Sequence, residues 1–464
     1  MAKNSRVTRN TKIVVIGLGY VGLAMATLCS SVKRNGKNIY QVYGLEKKND
    51  KGKQIINSLN KKKLPFKVED KTFNKILKES ICKGNFKFGF DENEIKNASI
   101  VILSINFDVD IKKVKVNFKN IIEIISLVSN KINENALIFI ETTLPPGTSE
   151  LILFPEIKKI FLKRNISTDN INLAYSFERV TPGANYLNSI KEMHRVYAAN
   201  NKYAEKITET LLKNIINVKK SKISKLNSLT EVELCKVVEN SYRAVNIAFI
   251  EEWRNYASGL GINLNQILDY IRLRKTHNNI MKTGIGVGGY CLTKDPLLGL
   301  ISDKEIFKKN YKFPLSTVSL RINLNMTLNI MKEINKKFNL SRLKSKKIYL
   351  FGASYREGVG DTRFSPSSVI YDYLKKINKE NIKVIDPYLD YWSEKNILIQ
   401  KLFNYKDVDI AIFIVGHKKF KNLKLDFKKS CIIIDTNNIF SKKKINQIKK
   451  NYKNNYFVGN YLTS

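Results

Sequence analysis

A glycine turn set between an apolar strand and an apolar helix constrains this chain more than any other feature. Lys12–Ile16 reads as a buried strand, Gly17-Leu18-Gly19-Tyr20-Val21-Gly22 as a turn, and Leu23–Val32 as a helix. In that setting the G-x-G-x-x-G spacing has a mechanical meaning. Gly17 permits the sharp bend, Gly19 lets backbone N–H groups, those of Tyr20 and Val21 among them, approach a pyrophosphate, and Gly22 lets helix and strand pack closely. Glu46 closes the next apolar run, at the roughly 20-residue distance where a carboxylate accepts ribose hydroxyls. Such a carboxylate repels a 2′-phosphate, so the expected cofactor is NAD rather than NADP.

Further apolar runs at Ile39–Leu45, Ala98–Ser104, Ala136–Glu141, Ile171–Ser176 and Arg195–Ala199 alternate with helical patterns, the signature of a parallel, doubly wound α/β sheet. From Ser228 to about Ser258 the pattern becomes one long helix, opened by Ser228 with Glu231 three residues on as a capping box and closed near Gly259 and Gly261. Between Val245 and Trp253 it is apolar on more than one side, which predicts a central spine with neighbours all round and a dimer contact. A second α/β unit starts near Lys346, with strands at Lys347–Phe351, Ile382–Ile385, Ile410–Val415 and Cys431–Asp435. It has Gly352 after its first strand but no glycine fingerprint, so it serves something other than a dinucleotide. The expected fold class is therefore α/β, two Rossmann-like doubly wound domains joined by a central long-helix domain.

Lys and Arg number 81 against 41 Asp and Glu, a net charge of +40. The surplus is spread over every segment rather than gathered on one face or tail, which fits a composition bias better than a nucleic-acid footprint. No apolar run reaches the ~20 residues a bilayer span needs, and Met1–Asn10 is polar and basic without a signal-like apolar core. The expected place is the cytoplasm, with no nucleic-acid or membrane partner. Five cysteines, Cys29, Cys82, Cys235, Cys291 and Cys431, contain no C-x-x-C pair; neither a disulfide framework nor a metal site is expected. Four of them read as small core residues. Cys291 stands apart.

It emerges from Gly284-Ile285-Gly286-Val287-Gly288-Gly289-Tyr290-Cys291-Leu292-Thr293-Lys294-Asp295. A loop so short of side chains lets a large ligand lie against it, and backbone N–H groups with Lys294 nearby could favour a nucleophilic thiolate. A flexible loop with an incidental thiol is the bland alternative. On the long helix Lys236 and Asn240 lie four apart on one face, a cation and an amide donor suited to an oxyanion, or an ordinary surface pair.

Taken in order, these motifs resemble the nucleotide-sugar (UDP-glucose/GDP-mannose) 6-dehydrogenases. The resemblance runs from the Gly17–Gly22 turn through Thr142-Thr143-Leu144-Pro145-Pro146-Gly147-Thr148 and Glu178-Arg179-Val180-Thr181-Pro182-Gly183. It continues in Glu233-Leu234-Cys235-Lys236-x-x-Glu239-Asn240, the cysteine loop, Gly360-Asp361-Thr362-Arg363-x-Ser365-Pro366-Ser367, Asp386-Pro387-Tyr388 and Asp435-Thr436. It implies an NAD-binding domain over 12–225, a central helical, dimerising domain with the cysteine loop over 226–325, and a UDP-sugar-binding domain over 326–464. It implies a four-electron oxidation of a UDP-sugar C6 hydroxyl to the uronic acid, supplying surface polysaccharide synthesis. Cys291 resembles the nucleophile, Lys236 and Asn240 the oxyanion donors, Asp295 the carboxylate organising proton transfer, and Thr143 and Glu178 the residues that place water, Thr143 also at the cofactor. Glu178, Arg179, Lys236, Asn240, Lys282, Gly288 and Arg363 fall where such enzymes hold the substrate, and homodimers or higher homo-oligomers are expected.

Several positions depart from the family pattern: Tyr290 before the nucleophile, Phe177 in place of a proline, Ile285 between two glycines, and Ser104-Ile105-Asn106-Phe107-Asp108 where a proline-rich loop is usual. The Glu178-Arg179-Val180-x-Pro182-Gly183 form and the Gly-Val-Gly-Gly loop lean toward the UDP-N-acetylhexosamine branch. The alternative is a two-electron NAD-dependent hydroxyacid dehydrogenase, which has no use for Cys291 or for a second nucleotide-binding sheet.

Overall fold

A computed structural model describes residues 11–340, 345–377, 381–400 and 405–460; the basic start Met1–Asn10 lies outside these. The chain forms two compact units, one of residues 1–65, 69–238 and 297–312, the other of 66–68, 239–296 and 313–464.

The first unit holds strands β1 (Thr11–Ile16), β2 (Tyr40–Leu45), β3 (Phe86–Gly89), β4 (Ile100–Leu103), β5 (Leu137–Ile140), β6 (Asn172–Tyr175), β7 (Arg195–Ala199) and β8 (Ile223–Lys225). They form one sheet in the order β8-β7-β6-β5-β4-β1-β2-β3. Six of them, read from the far edge, run 3-2-1-4-5-6, the order that places a dinucleotide at the crevice where the direction of progression reverses. Every residue of β4, β5 and β6 is buried, because helices cover both faces. The sheet departs from the all-parallel expectation in one respect: β7 pairs antiparallel with β6. The sequence run was legible as a strand, but its direction depends on the connection through Tyr186–Glu192, which apolar periodicity does not encode. The edge strand β3, Phe-Lys-Phe-Gly, was also missed, since Lys87 interrupts its apolar run.

The second unit carries β9 (Ile348–Phe351), β10 (Ile382–Ile385), β11 (Ile410–Phe413), β12 (Ile432–Asp435) and β13 (Asn455–Phe457), all parallel, in the order β10-β9-β11-β12-β13. This is the 2-1-3-4-5 doubly wound order, again with a switch point beside the first strand. Helix α1 (Tyr20–Ser31) follows the glycine turn; α2 (Leu229–Gly259) is the long helix; α3 (Pro314–Phe338) and α4 (Pro366–Ile377) belong to the second unit. The Ser228 hydroxyl caps α2 by accepting from Glu231 N–H at 3.1 Å. The Glu231 carboxylate accepts from Asn227 N–H rather than from Ser228, and Leu229 N–H goes instead to Glu150.

The expectation of neighbours all round α2 is corrected within the single chain. Ala244, Ala248, Ile250 and Ala257 are buried, whereas Phe249, Trp253 and Tyr256 stand out as an exposed aromatic row in edge-to-face contact. No helix among the described residues is long and apolar enough to cross a membrane.

Candidate active site

The glycine turn at the end of β1 is built for close approach. A side chain at Gly22 would run into the carbonyl oxygen of Gly17, whereas a Cβ at Gly19 would meet nothing within 4 Å. The turn is therefore closed toward the sheet and open toward a ligand, with the N-terminus of α1 behind it. Gly17 N–H donates to Leu45 O at 3.0 Å, and Leu18 N–H donates to Glu46 Oε1, so the acid that would meet a ribose is tied to the turn that would meet the pyrophosphate. These residues fit a dinucleotide.

At the same edge of the sheet, β5 and β6 run out into Glu141-Thr142-Thr143 and Ser176-Phe177-Glu178. The Thr142 hydroxyl accepts from Ile105 N–H at 3.0 Å and donates to Ile105 O at 3.1 Å, which ties the start of the Ser104–Asp108 loop to the segment that carries the half-buried Thr143. Glu178 is buried, and its Oε1 is among the buried polar atoms of the described residues that have no hydrogen-bond partner. Burial pushes its carboxyl up to about 7, against the downward pull of Arg195 and Lys236. Lys236 is buried, donates to Glu178 O at 3.1 Å and sits 5.2 Å from the centre of the Phe177 ring, which Arg179 meets at 4.8 Å. Phe177, the departure from proline, thus offers its face to two cations.

Two buried acids without an assigned role organise this edge. Glu233 on α2 accepts from Gly147 N–H at 2.7 Å, Ser149 N–H at 2.9 Å and Ser149 Oγ–H at 2.6 Å, and burial raises it to about 8. Glu141 pairs with Arg195. Glu233 was visible in the sequence as the start of the motif that contains Lys236 and Asn240, but without a role; Arg195 showed itself only as a charge opening an apolar strand.

In the second unit Cys291 is exposed, at the end of a loop held by its neighbours. Gly289 has φ of +87° and faces the Tyr355 ring, and its N–H donates to Arg363 O at 3.1 Å. A Cβ on Gly288 would meet Tyr355, Phe364 and Pro366 at 2.8 Å each, so the glycines let the loop lie flat on the turn before α4. Burial, with Asp361 and Cys291 adding to it, raises the Tyr355 hydroxyl to about 12. Asp295 is fully buried, accepting from Asn240 Nδ2 at 2.7 Å and from Lys294 Nζ at 2.6 Å. The predicted helper of the thiol, Lys294, thus spends a donor on Asp295 and lies 4.6 Å from the Tyr290 ring centre, with the Arg363 guanidinium at 5.4 Å. Arg363 also grips Asp361 through Nη2 at 2.7 Å. Lys282 is paired with Asp269 at 2.7 Å.

Lys236 and Asn240 are thus both buried rather than a surface pair, one engaged with Glu178 and the other with Asp295. Of the other cysteines Cys29 and Cys431 are core residues whose thiols burial pushes up, Cys431 to about 12, and Cys235 is half-buried. Cys82 is exposed, contrary to expectation, because it ends a helix on its solvent side.

Residues 11–216 match the NAD binding domain of the UDP-glucose/GDP-mannose dehydrogenase family, 230–325 its central domain and 349–442 its UDP binding domain. The chain belongs to that family. It is an NAD-dependent nucleotide-sugar dehydrogenase. It is 29% identical to a UDP-N-acetyl-D-mannosamine dehydrogenase of Methanococcus aeolicus, over 92% of this chain and 91% of that protein. It is 28% identical to a UDP-glucose 6-dehydrogenase of Rickettsia prowazekii, over 97% of this chain and all of that protein. Its fold is that of the UDP-D-ManNAc dehydrogenase of Pyrococcus horikoshii, with a TM-score of 0.78, 24% identity and coverage of 97% and 100% of the two chains.

Proposed function

We propose that this dehydrogenase carries out a four-electron oxidation of the C6 hydroxyl of a UDP-N-acetylhexosamine, giving the uronic acid through a thioester on Cys291. The observation that carries the reading is the cysteine loop itself. An exposed thiol on a loop pressed flat against the turn of Arg363, next to a buried Asp295 held by Asn240 and Lys294, is an arrangement a two-electron dehydrogenase does not need. The sugar class follows the relatives in Methanococcus aeolicus and Methanocaldococcus jannaschii, both UDP-N-acetyl-D-mannosamine dehydrogenases, together with the Glu178-Arg179-Val180-x-Pro182-Gly183 form.

Bound NAD supplies the hydride acceptor for both oxidations. Lys236 and Asn240 hold the oxygen on C6 as negative charge develops there, donating hydrogen bonds that strengthen with the charge. The Cys291 thiolate adds to C6 at the aldehyde level, because the resulting thiohemiacetal can lose a second hydride where a bare aldehyde does not readily do so. Water placed by Thr143 and Glu178 then attacks the thioester carbon; its oxygen joins C6, the C–S bond breaks, and Asp295 takes part in returning the proton. Arg179, Lys282, Gly288 and Arg363 serve the nucleotide sugar. The product is a glycosyl donor suited to surface polysaccharide synthesis. We assign this division of labour to domains at 12–225, 226–325 and 326–464.

The exposed row of Phe249, Trp253 and Tyr256 is assigned to a homodimer contact, since an aromatic face of this kind marks an association surface.

The test is to supply NAD with a panel of UDP- and GDP-sugars to the wild type and to Cys291→Ser. A UDP-N-acetylhexosamine is expected to give the highest kcat/KM and Cys291→Ser to make almost no acid. A serine variant that formed uronic acid at the wild-type rate would remove the covalent step.

A further inference from the structure

The antiparallel entry of β7 into the sheet has a local consequence. It sets the first residue of that strand, Arg195, at the edge where β5 and β6 end, and continuing the Ala174–Ala199 and Tyr175–Ala198 register brings Arg195 level with Glu178. The side chain is 1% exposed. Its Nη1 donates to Phe177 O at 2.7 Å, and its Nη2 donates to the Glu141 carboxylate. Phe177 directly precedes Glu178, and Glu141 lies two residues before Thr143. One buried fork therefore holds both segments that carry the residues assigned to water.

Stability alone gives little reason for such a group. Replacing a buried ion pair by apolar side chains of similar volume is often neutral or stabilising, whereas its fixed geometry can define one arrangement of the chains around it. Glu178 keeps one oxygen without a partner on the same edge, so what the fork orders is a carboxylate still able to take a water.

We propose that Arg195, through its fork onto Glu141 and the carbonyl of Phe177, is the positioning residue for hydrolysis, setting Thr143 and Glu178 relative to one another so that the acid is released. The inference rests on the four-electron reading above. Hydrolysis forms the C6–O bond from water, breaks the C6–S bond and restores the thiolate; no oxidant is consumed, so a fault in positioning spares the hydride transfers. The charged groups that act on Glu178 are Arg195 on β7, Lys236 on α2 and Glu141 after β5, with the Val180 N–H as a further donor. Loss of Arg195 removes the largest influence holding this carboxyl down.

The experiment uses the full-length enzyme as wild type, Arg195→Lys, Arg195→Met and the double variant Arg195→Met/Glu141→Gln. The double variant removes the Glu141 carboxylate that Arg195→Met alone would strand, so a correct thermal transition separates lost folding from lost positioning. With the UDP-sugar and NAD, both Arg195→Met variants are expected to keep the rapid NADH burst while steady turnover falls about 100-fold, the scale of a misplacement of about 1 Å. The Cys291 acyl adduct should accumulate in the intact mass. Arg195→Lys should recover part of the turnover, and the alkaline-rising limb should move to higher pH in Arg195→Met. Wild-type hydrolysis in the double variant, or burst and turnover falling together, overturns the proposal. A ¹³C titration of the Glu178 carboxyl in unliganded protein, assigned with Glu178→Gln, is a separate reading. An upward shift in Arg195→Met supports the placement, and an unmoved titration overturns it. If the wild type itself yields one NADH and no adduct, the four-electron reading is what fails.

Discussion

The two sheets of this enzyme open with the same device and use it for different ends. In the first, Gly17 N–H donates to Leu45 O and Leu18 N–H to the acid that ends the next strand, Glu46. In the second, Gly352 N–H donates to Ile385 O at 2.8 Å and Ala353 N–H to the acid in the same place, Asp386, at 2.9 Å. Glu46 remains half-exposed, with its second oxygen 3.2 Å from Lys47 N–H. Asp386 is buried and further accepts from Ser354 N–H, Ser354 Oγ–H and Tyr388 N–H, with His417 Nε2 at 3.1 Å. The first acid is available to a ribose; the second is spent on closing its own turn. A sheet can thus keep the dinucleotide-fold connection while its polar group is turned into an internal brace.

Breaking the brace is expected to have the largest effect. Asp386→Ala strands His417 and several N–H groups in a buried site, and should lower stability by about 3 to 5 kcal/mol, read from urea unfolding. Burial alone would raise the Asp386 carboxyl, but His417 and the backbone donors of Ser354 and Tyr388 overrule it and hold the group below the usual carboxylate range. Its folded pKa being depressed, the stability it contributes is present above the unfolded value near pH ~4 and is lost as pH falls below it. The Asp386→Ala variant should therefore show a flatter acid limb than the wild type. A loss under 1 kcal/mol would mean that the two acids are interchangeable.

Glu46→Ala, the matching change in the first sheet, should leave unfolding within about 1 kcal/mol and instead weaken NAD about 10- to 100-fold by calorimetry, the scale of hydrogen bonds to a charged group. Equal affinity in the variant would remove Glu46 from the cofactor. The smallest effect is expected at Tyr290, whose ring meets Lys294 and Arg363. Tyr290→Phe keeps the face and should behave as wild type, whereas Tyr290→Ala should raise KM several-fold with kcat little changed, as loss of about 1 kcal/mol of cation–π contact implies. If both variants lose equally, the hydroxyl and not the ring is what matters.

Strands covered on both faces read as continuous apolar runs, and Val14–Ile16, Ile100–Leu103 and Ile410–Phe413 were found for that reason. The glycine turn and cysteine loop were legible because each gathers its glycines and the residues they expose within one short stretch of sequence. Arg195 with Glu141, Glu233 with Ser149, and His417 with Asp386 were not, since each is a buried polar side chain whose partner lies at the end of another strand or on a distant loop. Such pairs depend on strand direction and register, which apolar periodicity leaves open. The departures at Phe177 and Tyr290 were visible as unusual residues, but their use as aromatic faces for cations became clear only from the geometry.

In the proposed reaction one chain takes the sugar through two oxidations by way of Cys291. The direct measurement is the ratio of NADH to uronic acid formed by the wild type from a UDP-N-acetylhexosamine, both quantified in the same reaction. Two NADH per acid are expected, with a transient Cys291 acyl adduct in the quenched enzyme; one NADH per product, and no adduct, would rule out the second oxidation on Cys291.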